Sequence, residues 1–187
     1  MTHKTSYKMG RQWLVVPLGL LLILVSAYTA EGERADLSLT IAVPIHNGQR
    51  TIQVGRQATR FNVIIENLSE HRVNLWREWC SWGYFNLRFQ FTDEKGIMWI
   101  AKKKEKDWEK NFPDFVSVDP RDKLVIDVTF NPDIWKNILP PDAGRSRTVS
   151  IVAIYESEDS DDAKKRGVWS GHLVSDKREY TLVRQID

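Results

Sequence analysis

Cysteine is nearly absent: the chain carries one, Cys80, among 187 residues. That excludes an intramolecular disulfide framework and any zinc knuckle built on cysteine pairs. Histidine is scarce as well, and beyond residue 30 only His46, His71 and His172 remain, each isolated in sequence. There is no His-Glu-x-x-His run, no Gly-x-Ser-x-Gly elbow and no glycine loop to cradle a phosphate. No two carboxylates are paired in a recognisable pattern, so the residues point away from an enzyme and call for no cofactor. Internal repeats and Pro/Ser-rich linkers are missing too. Residues 37–187 therefore read as one domain.

A long apolar run occurs once, at residues 13–25. Lys4, Lys8 and Arg11 precede it without an acid, and the small residues Ser26, Ala27, Thr29 and Ala30 follow before the first acid, Glu31. The apolar run is shorter than the roughly 20 residues of a membrane span. Positive start, short apolar stretch and small residues together make a secretory signal peptide over residues 1–30. The cut falls after Ala27 or after Ala30, and a retained leader would be an N-terminal anchor. Residues 31–36 form a polar tether. In either case the domain works outside the cytoplasm, secreted or in the periplasm and cell envelope, and meets a membrane only if the leader stays attached.

The leader also accounts for the basic charge. Of 27 Lys and Arg, three lie in residues 1–30, leaving 24 against 25 Asp and Glu. A chain of net −1 gives no support to nucleic-acid binding. The run Lys102–Lys103–Lys104–Glu105–Lys106 is followed by Asp107 and Glu109 and reads as a solvated sheet edge or loop. The acidic stretch at residues 156–162 lacks the glycine and closing glutamate of a calcium loop and reads as a flexible hairpin loop.

What the chain does have is alternation of period two. Leu37, Leu39, Ile41 and Val43 share one face; Phe61, Val63 and Ile65 repeat the pattern. Phe85, Leu87, Phe89 and Phe91 face one way, with a turn at residues 93–96 leading into a partner strand at 97–101. Further strands are expected at 124–130, 149–155, 168–174 and 180–183. One helix is expected, with Asn131 as its cap, Pro132 at its first position and its end before Pro140. Many short strands with turn chemistry between them specify an all-β, immunoglobulin-like antiparallel sandwich with that single short helix.

The unusual segment is residues 76–85, Trp-Arg-Glu-Trp-Cys-Ser-Trp-Gly-Tyr-Phe. Trp76, Trp79, Trp82 and Tyr84 are the candidate ligand-binding residues. Aromatics in a loop stack on sugar rings or anchor a protein partner, and the same residues can equally plug one end of a sandwich. Because the three tryptophans are spaced by three, an extended segment cannot turn all of them to one face. Cys80 is expected to be buried beside them. Asn67-Leu68-Ser69 is a glycosylation sequon placed at a turn.

Residues 58–130 resemble the intracellular proteinase inhibitor family. The resemblance rests on Glu66-Asn67, the serine turn, Val73-Asn74-Leu75-Trp76, Gly83-Tyr84-Phe85, Asp93, Gly96, Trp99 and the turn and strand at 118–127. The Trp-Cys-Ser-Trp-Gly-Tyr core and the Asn111-Phe112-Pro113 turn are also similar to uncharacterised secreted bacterial proteins. The resemblance implies the immunoglobulin-like fold and, as a function, protease inhibition. The chain departs from the inhibitor family in its export signal, in residues 102–115 and in the acidic stretch. The residues themselves favour a non-enzymatic module that binds a protein or envelope component. A carbohydrate-binding module using Trp76, Trp79 and Trp82 is the alternative, and a protease inhibitor a further one.

Overall fold

Alternating side chains become strands because a pleated chain sends successive residues to opposite faces, so one face can be buried throughout. The computed structural model describes residues 36–46, 48–139 and 146–185. In order they form β1 (Leu37–Ala42), β2 (Ile45–His46), β3 (Gln49–Val54), β4 (Phe61–Asn67), β5 (Val73–Trp76), α1 (Ser81–Tyr84), β6 (Leu87–Asp93), β7 (Met98–Lys103), β8 (Phe115–Val118), β9 (Lys123–Val128), β10 (Trp135–Lys136), β11 (Ser146–Ser157), α2 (Asp161–Arg166), β12 (Gly171–Val174) and β13 (Arg178–Arg184). The signal peptide over 1–30 and all of the tether but Asp36 lie outside the described residues.

One sheet has the order β1-β4-β9, antiparallel throughout. The other runs β10-β7-β6-β11-β13-β3-β2, with β12 also paired to β11. All its pairings are antiparallel except β13 with β3. Strands that face each other thus come from distant parts of the chain. The first strand lies in one sheet, and the chain then changes sheet to run beside the last. The sheet β1-β4-β9 packed against β3-β13-β11-β6-β7 makes an immunoglobulin-like antiparallel sandwich. Leu39, Ile41, Val63, Ile65, Ile126 and Val128 meet Phe89, Phe91, Val149, Ile151 and Leu182 in a single buried core.

The expected helix after Asn131 does not form. Asn131 does cap a turn, its side-chain oxygen accepting from the Asp133 amide at 2.8 Å, and the Trp135 amide bonds back to the Asn131 carbonyl at 2.9 Å. Trp135 then leaves as β10 to pair with Lys103. Its indole is 3% exposed and lies 5.3 Å from Phe89 and 5.9 Å from Phe130. Burying that ring against two phenylalanines outweighs the small gain from extending one helical turn.

Two other short helices replace it. The acidic stretch holds α2 rather than a simple loop. Ser160 caps it by accepting from the Ala163 amide, Asp161 and Asp162 occupy the first turn, and Lys164, Lys165 and Arg166 the last. Gly167 ends it in the left-handed conformation, φ 58°. This charge order complements the helix dipole. The other helix, α1, delays β6, so Phe85 is 42% exposed instead of facing the core and burial starts at Leu87.

Candidate functional site

Three connections gather at the end of the sandwich where β4, β7 and β11 finish: residues 68–86, 104–122 and 158–177. Each contributes ordered structure. In the first two, β5 pairs with β8 so that Trp76 stands opposite Phe115. The third joins them through a parallel bridge between Asn74 and Val168 and a bond from the Trp169 amide to the Asn74 carbonyl at 2.9 Å. A small apolar cluster forms where they meet, from Trp76, Ala163 and Val168 with Trp82 and Phe115 packed against it. The connections therefore have their own core and present fixed surfaces.

Asn67 ties this end to the sandwich. It is fully buried, and its amide nitrogen donates to the His71 carbonyl at 2.7 Å and the Val118 carbonyl at 3.0 Å. Its oxygen accepts from the Ser69 amide and hydroxyl at 3.0 and 2.7 Å. The sequon asparagine is thus a buried staple, closed to a glycan in the folded chain.

The four candidate residues do not form one platform. Trp76 is 3% exposed and lies 6.2 Å from Trp82, its partner in the small cluster. Half-buried Trp82 donates its indole N–H to Asp162 at 3.0 Å, joining α1 to α2. Trp79 goes the other way and is 62% exposed. Its indole N–H donates to Asp114 at 2.8 Å, and the Arg77 guanidinium lies 4.6 Å from the ring centroid. Tyr84 is half-buried and meets Phe85 and Trp108 edge-on at 4.9 and 5.5 Å. Desolvation, then Glu78 and Glu105, push its phenol above the ordinary range.

Gly83 permits this route for the chain. It is buried, and a Cβ there would sit 2.3 Å from the Arg77 carbonyl oxygen, so only glycine lets α1 fold back on residue 77. Cys80 is buried as expected, its thiol donating to the Arg77 carbonyl at 3.2 Å.

Two other residues here were not among the candidate site residues. Phe112, 73% exposed, lines a cleft of about 420 Å³ with Trp79, Lys110 and Asp114. The sequence offered it only within the Asn111-Phe112-Pro113 turn, as an apolar residue before proline in a mostly charged stretch. Lys103 corrects the reading of the lysine run as solvated. Alternation along β7 turns it inward, its side chain is 8% exposed, and it pairs with Glu78 under the rings of Tyr84 and Trp135. Lys102 and Lys104 remain exposed.

Among the described residues, no group of three or more His, Cys, Asp or Glu is placed to hold a metal ion. No helix among them is long and apolar enough to cross a membrane. No protein-family model matches the chain, and no curated protein matches it.

Proposed function

We propose that this chain is an exported, non-catalytic binding module that holds a protein partner through the exposed rings of Trp79 and Phe112 and the cleft they line. The observation that carries the reading is Trp79 itself: a 62% exposed indole held by a carboxylate and a guanidinium rather than left free. An exposed tryptophan ordered before contact loses little conformational entropy on binding. Tryptophan is also the residue most enriched among interface hot spots. Phe112 widens the apolar surface, while Arg77, Lys110 and Asp114 supply the polar surround that such contacts require. The leader and the shortage of catalytic motifs support an exported role without chemistry.

The test is retention of envelope proteins by the immobilised chain and by Trp79→Ala and Phe112→Ala variants. Both side chains are exposed, so the far-ultraviolet spectrum and melting temperature should not change. A partner held by the parent chain should be released by Trp79→Ala. Undiminished retention by both variants, or no protein retained at all, would refute the reading.

A further inference from the structure

We propose a second site, separate from the Trp79–Phe112 surface, that binds a short neutral oligosaccharide. It is the open cleft of about 590 Å³ between α1, β6, the end of β11 and the start of α2. The volume lies within the roughly 300–1,000 Å³ of small-ligand sites. None of the residues lining it lines the cleft beside Phe112.

Two kinds of surface meet there. Trp82 and Phe85 provide apolar ring surface, and Trp82 is held by packing on buried Trp76, which also lines the cleft, and by its N–H bond to Asp162. The rim is charged, with Arg88, Glu156, Glu158 and Asp162. Arg88 pairs with Glu156 at 2.5 Å, and Asp162 has Arg166 at 3.5 Å. Two rim groups stand on strands of the sandwich, Arg88 on β6 and Glu156 on β11, which gives them fixed positions.

This combination selects among ligand classes. An anion would meet three carboxylates against the two guanidinium groups of Arg88 and Arg166, which leaves Glu158 as unbalanced negative charge. A cation would find Glu156 and Asp162 already engaged by arginines. A purely apolar ligand would strip water from the charged rim without replacing its hydrogen bonds. A sugar hydroxyl can both donate to a carboxylate and accept from a guanidinium, so it satisfies a rim of mixed sign. The C–H face of a sugar ring covers the aromatic wall.

The test is calorimetric titration of the purified chain with glucose, mannose and N-acetylglucosamine tetramers, a uronate tetramer, and an arginine-rich peptide. At least one neutral tetramer should bind and the uronate should not. Phe85→Ala and Glu158→Gln, both at exposed side chains, should each weaken binding about tenfold or more, as expected for loss of a charge-assisted or stacking contact. Trp79→Ala should leave sugar affinity unchanged, which separates this site from the protein-binding surface at Trp79 and Phe112. The proposal is overturned by no binding of any neutral tetramer, by binding of the uronate or the peptide instead, or by affinity that ignores both cleft variants. Sensitivity to Trp79→Ala alone would also overturn it, because the sugar would then lie on the Trp79–Phe112 surface.

Discussion

Replacing Asn67 with alanine removes four hydrogen bonds from one buried side chain. The bond to the Val118 carbonyl is itself buried, so that oxygen has no water to turn to. Leaving one buried acceptor unpaired costs about 1–3 kcal/mol. The partners on Ser69 and His71 are nearer solvent and should lose about 0.5–1 kcal/mol each. Together the loss comes to about 3–4 kcal/mol, a large fraction of the roughly 5–15 kcal/mol that holds a domain folded. For a domain of this size that corresponds to a fall of about 10 °C in melting temperature. Asn67→Asp should cost more at neutral pH, since it puts a carboxylate against two carbonyl oxygens. Ser69→Ala, which spares both amide donors of Asn67, should cost about 1 kcal/mol. Urea unfolding followed by tryptophan emission reads all three. A loss below about 1 kcal/mol for Asn67→Ala would refute the idea that this side chain staples the loop end to the sandwich.

Two further predictions concern ionisable groups. Glu78→Ala should destabilise by about 3 kcal/mol because it strands the buried Lys103 ammonium, whereas Lys103→Met should cost much less because Glu78 keeps contact with water. Equal losses in denaturant titrations of the two variants would refute that asymmetry. Burial pushes the Tyr155 phenol up to about 12, against about 10 in an unfolded chain. Its stabilising effect is therefore complete below pH 10 and falls away as pH rises through about 12, by about 3 kcal/mol in all. Tyr84 and Tyr180 act in the same direction. The check is alkaline unfolding of the parent chain against Tyr155→Phe, and an identical pH slope in the two would contradict it.

Period-two alternation is a local property, and the sandwich could be read from it. Each run that alternates in sequence, from Leu37 to Tyr180, supplies buried residues to the core. The capping signals of α2 were equally local, Ser160 before two acids and Gly167 after three bases, yet they sat inside a charged stretch that also suits a loop. The helix after Asn131 failed for the opposite reason. Its cap and proline were correct local signals, and a contact with Phe89, some 46 residues earlier, drew Trp135 away.

The candidate site divides in the same way. From the sequence alone, Trp76, Trp79, Trp82 and Tyr84 could be placed just before a strong strand of a β-sandwich, with a spacing that keeps an extended segment from turning all three tryptophans to one face. Which ring is wet was decided by distant partners. Asp114, 35 residues away, holds Trp79 outward, and Asp162, 80 residues away, holds Trp82 against α2. Burial of Lys103 likewise depended on Glu78 arriving from the first connection and Trp135 from β10. A side chain's exposure is fixed by what packs over it, and in a sandwich of this topology the covering residues come from remote parts of the chain.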